Sequence, residues 1–255
     1  MPSFTAKGKK LEADLFVFDK DGLMFSSEQF WIELANERCR SLLGICTGEQ
    51  TLEWAHLMGA DTKLSESGEP LTTKVDPLGI LAVASPYEER TVTAGYLVAI
   101  KGWPWHEARD TAAKLFEKSD LSLDLKKALK PQPGFVELMQ RLAELDVPYG
   151  VATSDTLDRT RDSMSLYNCW EKVRFVVTPE DVKEGKPAPD MLLHISKKTG
   201  VPLNRIAMVG DSYVDVKMAA NAGSIGIGVS SDPEMQEKMR PFATVVLDSL
   251  WEIVL

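Results

Sequence analysis

The chain has 255 residues, 44% of them hydrophobic and 26% charged, a globular composition that excludes wholesale disorder. Its 38 acidic and 29 basic residues leave a formal charge of −9 at pH 7, and without a basic patch no nucleic-acid partner is expected. Cys39, Cys46 and Cys169 are an odd set without C-x-x-C spacing, so they read as reduced, buried thiols and not as a disulfide framework or zinc site. The N-terminal MPSFTAKGKK is too polar for a secretory leader, and no apolar run reaches the roughly eighteen residues of a membrane span. No membrane partner and a cytoplasmic location are therefore expected.

Leu15 to Phe18 (LFVF) is a short apolar run of the kind that forms a buried strand. Residues 27–130 then break away from strand patterning. Ser26 and Ser27 can cap a helix through Trp31 and Leu34 to Leu43, stopped by Gly44. Ser85-Pro86 can start a second helix running to about Ile100, and Pro104 a third ending near Lys118. The Gly-, Ser-, Thr- and Pro-rich stretch from Gly59 to Pro77 reads as a loop between them. Beyond residue 130 a helix is predicted from Gly134 to Leu145, with Phe135, Leu138, Met139 and Leu142 on one face. Strands are predicted at 147–153, 173–178, 206–210, 225–229 and 243–247, with further helices at 189–199 and 214–222. Near-continuous apolar strands alternating with helices predict an α/β, doubly wound parallel sheet. The expected organisation is a discontinuous core, 1–26 and 131–255, carrying an inserted helical domain, 27–130.

Chemistry-bearing residues fall just past four of these strands, the edge where parallel sheets bind ligands. They are Asp19-Lys20-Asp21-Gly22, Thr153-Ser154-Asp155, Lys186 within GKPAPD, and Gly210-Asp211-Ser212 with Asp215 four residues after Asp211. Taken singly, each has an ordinary structural reading as turn chemistry, strand end or solvated charge. Taken together, several carboxylates at one edge repel one another, and a divalent cation with oxygen ligands and room for water, such as magnesium, removes that cost. A hydroxyl and a lysine are donors for an anion. A carboxylate held opposite them is placed to attack phosphorus, and a second, two residues on, to protonate the leaving oxygen and then activate water.

These motifs resemble the haloacid dehalogenase (HAD) superfamily, and its phosphatases in particular. LFVFDKDG matches the first motif, four hydrophobic residues and D-x-D-G, with LMFSSE to Glu28 in the place of its usual continuation. VATS, GKPAPD and GDSYVD followed by AANAG match the other three, in the style of phosphoglycolate phosphatase and β-phosphoglucomutase. The resemblance implies a Rossmann-like core with a helical cap. It implies Asp19 as nucleophile and metal ligand, and Asp21 as general acid/base with its carbonyl on Mg2+. Thr153, with the amides of Ser154 and Asp155, would hold the transferring phosphoryl group. Lys186 would neutralise Asp19 and phosphate, Asp211 would complete the metal ligands, and Asp215 would support a metal-bound water or Lys186. Leu23 and Ser26 depart from the usual threonine and aspartate, at positions without a catalytic role. An intact Asp21 disfavours dehalogenation and phosphonate cleavage.

The expected function is magnesium-dependent hydrolysis of a small phosphorylated metabolite through an aspartyl-phosphate, by a monomer or homodimer. The alternatives are a β-phosphoglucomutase-type phosphomutase and a catalytically silent binder of phospho-ligands. A phospho-receiver uses similar residues but is roughly half this length and has no insert. Four tryptophans, Trp31, Trp54, Trp103 and Trp105, lie in the insert, where packing is their expected use.

Overall fold

The computed structural model describes residues 3–255. The chain enters through a hairpin, β1 (Ser3–Ala6) and β2 (Lys9–Glu12), that hydrophobic patterning does not reveal. Its turn residues Lys7 and Gly8 both have positive φ, 51° and 76°, which matches the twist of a tight antiparallel pair. Phe4 docks the hairpin by packing edge-on against Phe16, ring centroids 4.9 Å apart. Strand β3 (Leu15–Phe18) follows, every residue buried.

Ser27–Lys130 is a compact unit of its own. It contains α1 (Ser27–Leu43), α2 (Gly48–Leu57), β4 (Ala60–Leu64), β5 (Pro70–Val75), the single turn α3 (Ile80–Val83), α4 (Pro86–Lys101), α5 (Trp105–Ser122) and the single turn α6 (Leu125–Ala128). The insert is mostly helical as expected, but the expectation of a loop at 59–77 is corrected here: β4 and β5 form an antiparallel hairpin. The turn-forming residues concentrate between Ser65 and Glu69, where Ser65 N–H donates to the Glu69 carbonyl at 2.8 Å. The flanking residues pair instead. Thr62 and Thr72 hydroxyls meet at 2.8 Å, and Thr72 N–H donates to Asn36 Oδ1 of α1 at 2.8 Å. Helix α2 also lacks a strong apolar pattern; it is set by a reciprocal cap between Thr47 and Gln50. Trp54 is fully buried and its indole N–H donates to Thr93 Oγ1 of α4 at 3.0 Å, so this tryptophan packs the insert.

Past Lys130 come α7 (Phe135–Glu144), β6 (Tyr149–Ala152), α8 (Leu157–Ser165), β7 (Val173–Val177), α9 (Asp190–Thr199), β8 (Ile206–Gly210), α10 (Tyr213–Ala222), β9 (Ile225–Val229), α11 (Pro233–Met239), β10 (Val245–Leu247) and β11 (Ile253–Val254). With the residues up to Ser26 they form the other unit. Its six-stranded sheet has the order β10-β9-β8-β3-β6-β7 with every neighbouring pair parallel. Strand β11 pairs with β1 in a small separate sheet. All residues of β3, β6 and β8 are buried, as expected of strands covered on both faces. The chain winds outward from β3 in one direction through β6 and β7, and in the other through β8, β9 and β10. That reversal places a crevice at the C-terminal ends of the central strands. Where the insert leaves and re-enters, Phe25 bridges Pro131 and Gln132 N–H donates to the Met24 carbonyl at 2.8 Å.

Cys39, Cys46 and Cys169 are buried free thiols. Among the described residues no helix is long and apolar enough to cross a membrane.

Gly150 in β6 is needed by its neighbour. A Cβ there would lie 2.3 Å from the Phe175 ring of β7. Gly150→Ala should therefore destabilise the protein by about 1–3 kcal/mol, the usual cost of overpacking a core. Urea denaturation checks this, and a smaller residue, Phe175→Val, should make the same substitution at position 150 milder.

Candidate active site

Sheet register gathers the motifs. Phe18 lies opposite Val209 on one side and Val151 on the other, so Asp19 emerges level with Gly210 and one residue short of Thr153. Main-chain bonds extend the alignment beyond the strands: Asp19 N–H donates to the Val209 carbonyl at 2.9 Å, and Thr153 N–H to the Val177 carbonyl at 3.0 Å.

Asp19 is buried, and Lys186 Nζ donates to its Oδ1 and, at 2.7 Å, to Asp215 Oδ1. Asp215 is held from the other side: its Oδ2 accepts from Ser212 Oγ at 2.9 Å and Ser212 N–H at 3.2 Å, capping α10. The lysine arrives on the loop before α9, whose Pro187 carbonyl accepts from Asn221 Nδ2 at 2.9 Å. Asp211 completes the group. Carboxylate oxygens of Asp19, Asp211 and Asp215 all lie within 4.8 Å of one another. Gly22 makes room for this crowding, since a Cβ there would sit 2.0 Å from Asp211 Oδ2, and its φ of +92° suits glycine.

Asp21 belongs to a second network. Lys20 Nζ, wholly buried, pairs with Asp21 Oδ1 at 2.7 Å and with Asp155 Oδ2 at 2.9 Å. Thr153 is buried and its Oγ1 accepts from Asp155 N–H at 3.0 Å. The Asp155 amide, expected to face an anion, is thus taken up within the turn, while the Thr153 hydroxyl keeps its own proton to donate. Ser154 is exposed at the same turn. Lys20 and the Asp155 carboxylate escape the sequence reading, which uses Lys20 only as the variable residue of D-x-D-G. The available signal was a lysine between two aspartates directly after a fully apolar strand.

Electrostatics follow from burial. Desolvation pushes Asp19 up to about 7, against the pull of Lys186. Desolvation, with repulsion from Asp19 and Asp215, holds Asp211 well above the usual carboxylate range. Asp21 is raised by burial, with Lys20 opposing. Burial acts upward on Asp155 as well, but Lys20 and Arg159 outweigh it and its carboxyl is lowered. Lys186 and Lys20 lose by desolvation and gain more from their aspartates, so both stay firmly protonated.

Comparison with known proteins agrees with this architecture. Residues 13–223 match the model of the haloacid dehalogenase-like hydrolases. The chain belongs to that family. Among its relatives are an N-acetylmuramic acid 6-phosphate phosphatase of Pseudomonas aeruginosa, 26% identical over 95 residues (37% of this chain, 42% of that protein). A phosphonoacetaldehyde hydrolase of Bacillus cereus is 34% identical over 103 residues (39% of this chain, 38% of that protein). The chain spans less than half the length of these curated relatives. Among solved structures, a predicted phosphoglycolate phosphatase from Haemophilus somnus superposes with a TM-score of 0.64 at 15% identity, covering 94% of this chain and 96% of that one. CbbY from Rhodobacter sphaeroides, solved in complex with phosphate, gives 0.58 at 17% identity over 93% and 95%. At such identities these show the fold: this HAD-like hydrolase has the family's α/β core.

The raised carboxyls have a measurable consequence. Asp19 and Asp211 titrate above the ordinary carboxylate range in the folded chain, so the native state holds protons that the unfolded state has released. Stability of the metal-free protein should fall as pH rises from about 4 towards 7. Urea midpoints measured in EDTA across that range should decline, and decline less in Asp211→Asn.

Proposed function

We propose that this hydrolase is a magnesium-dependent phosphatase that takes the phosphoryl group from a small phosphorylated metabolite through an aspartyl-phosphate. The observation that carries this reading is the paired setting of Asp19: a lysine bridge to Asp215 on one side, the Asp211 carboxylate on the other, at the C-terminal end of the central strand.

The residues present suit a magnesium ion. The donors are hard carboxylate oxygens, few in number; burial first, and then repulsion among them, raises the pKa of Asp19 and Asp211, a cost that a divalent cation offsets. Asp215 already has both oxygens engaged by Lys186 and Ser212, so Asp19, Asp211 and the main-chain carbonyl of Asp21 are the proposed ligands, with Asp215 behind them. When bound, the ion neutralises the carboxylates and polarises the phosphoryl oxygens.

The chain's own residues do the rest. An Asp19 carboxylate oxygen attacks phosphorus, the bond from phosphorus to the ester oxygen breaks, and Asp21 gives that oxygen its proton. Asp21, now a carboxylate, takes a proton from water as the water oxygen attacks the aspartyl-phosphate. The bond from phosphorus to Asp19 breaks and inorganic phosphate leaves. The Thr153 hydroxyl and the Ser154 amide donate to the transferring group, and Lys186 holds Asp19 and its phosphoryl charge. A carboxyl at Asp21, able to protonate an ester oxygen, favours phosphate esters over the phosphonate handled by the Bacillus relative. The insert carries more acidic than basic residues, which favours a substrate with a single phosphate.

Turnover of a panel of phosphomonoesters should require magnesium, be lost in EDTA and fall in calcium, whose larger shell lets both Asp19 oxygens bind. Magnesium should also raise the melting temperature of the wild type at pH 7.5 more than that of Asp211→Asn. Full activity in EDTA would overturn the metal requirement. Stoichiometric release of inorganic phosphate separates hydrolysis from a phosphomutase, which returns the group to a bound sugar.

Asp19→Asn should abolish turnover without leaving a covalent adduct. Asp21→Asn should slow turnover by about a hundred- to ten-thousand-fold, the usual contribution of a general acid/base. Given acetyl phosphate, whose leaving group needs no proton, Asp21→Asn should accumulate phosphoenzyme at Asp19, read by intact mass after acid quench and by peptide mapping.

A further inference from the structure

Lys20 is wholly buried, an expensive place for an ammonium unless it is paired on every side. Its Nζ lies between Asp21 Oδ1 at 2.7 Å and Asp155 Oδ2 at 2.9 Å. Asp155 is itself immobilised. Its Oδ1 accepts from Thr156 N–H at 2.8 Å and faces Arg159 at 3.5 Å, while its own N–H donates to Thr153 Oγ1 at 3.0 Å. Thr156 in turn caps α8 by accepting from Arg159 N–H. A continuous chain of bonds therefore runs from the start of α8 through Asp155 and Lys20 to Asp21.

A buried ion pair of this kind is weak evidence of a gain in stability, because apolar residues of similar volume often do as well. What it does supply is direction. The lysine occupies one oxygen of Asp21, whose side chain stays 21% exposed while Lys20 is at 0%. Asp21 Oδ2 is left for proton exchange. The bridge also keeps Asp21 out of the Lys186–Asp19–Asp215 network, so the two aspartates of D-x-D-G are anchored independently.

We propose that Lys20, tied to Asp155, is a positioning residue that aims the Asp21 carboxyl for both proton transfers. This rests on the aspartyl-phosphate reading above. A misaimed acid/base leaves binding intact and slows turnover, since a displacement near 1 Å can cost about a hundredfold. Lys20→Met should therefore lower kcat by about ten- to a hundredfold and change KM by less than about threefold. The loss should be larger for an alkyl phosphate, whose leaving oxygen needs a proton, than for para-nitrophenyl phosphate.

The deciding experiment compares phosphoenzyme in Lys20→Met, in Lys20→Met/Asp155→Asn and in Asp21→Asn, each given acetyl phosphate and magnesium and quenched in acid. The double variant leaves no unpaired buried carboxylate at position 155 and carries the readout if the single variant does not fold. Label at Asp19 in the Lys20 variants, with the split between kcat and KM, is the expected result. Label in Asp21→Asn but in neither Lys20 variant overturns the positioning role and leaves the aspartyl mechanism standing. Absence of label in Asp21→Asn overturns the mechanism and the positioning role with it.

Discussion

Five carboxylates, Asp19, Asp21, Asp155, Asp211 and Asp215, meet at the C-terminal edge of the parallel sheet, and two buried lysines hold them apart in two sets. Lys186 bridges Asp19 to Asp215, and Lys20 bridges Asp21 to Asp155. Each lysine joins a residue of D-x-D-G to an aspartate tied to the start of a helix, Asp215 at α10 and Asp155 just before α8. Asp211 carries an upward shift driven by burial and by its acidic neighbours. The ammonium groups number fewer than the carboxylates, so the cluster retains an excess of negative charge. That excess is what the proposed divalent cation would offset.

Such crowding can be assembled because the backbone tolerates it. Parallel register brings Thr153 and Asp211 to within one residue of the level of Asp19, and the absence of a Cβ at Gly22 allows the Asp211 carboxylate to lie against the first motif. Gly210 plays a similar part, since a Cβ there would be 2.2 Å from the Asp215 Cβ. The apolar strands supply the rigid base: Leu15, Val17, Ala152, Val177, Ile206 and Met208 are packed in one buried cluster. Precision at the site is thus set by strands whose side chains have no chemistry of their own.

Much of this was legible in the sequence because it rests on strong local signals. LFVF and IAMVG are fully apolar and became β3 and β8 with the expected ends, and the amphipathic face of α7 is buried at the residues its spacing named. The motif aspartates followed from their places after those strands. What was missed depended on partners distant in the chain. β1 and β2 are polar by composition and are fixed by a two-residue turn and by Phe4 on Phe16. β4 and β5 hide behind a turn-like composition, while Thr72 finds Asn36 of α1. α8, LDRTRDSMS, has too few apolar residues to show a face, and buries only Thr160, Ser163 and Met164. Lys20 looked like the free position of a motif, and its role as a bridge to Asp155 arises only once β3 and β6 lie side by side.

The two strands of chain that lead into and out of residues 27–130 are stitched together inside the core by the Phe25–Pro131 bridge, the Gln132 N–H to Met24 carbonyl bond, and Gln132 Nε2 donating to the Gly22 carbonyl at 2.8 Å. To the core, the whole insert is a single loop whose ends are already closed. The entropy of closing such a loop grows only with the logarithm of its length, by about 0.6 kcal/mol for each doubling. A core built this way is indifferent to the size and internal architecture of what it carries at this junction. Inserts can therefore be exchanged, lengthened or rebuilt by evolution or by design while the reacting groups stay where the sheet put them.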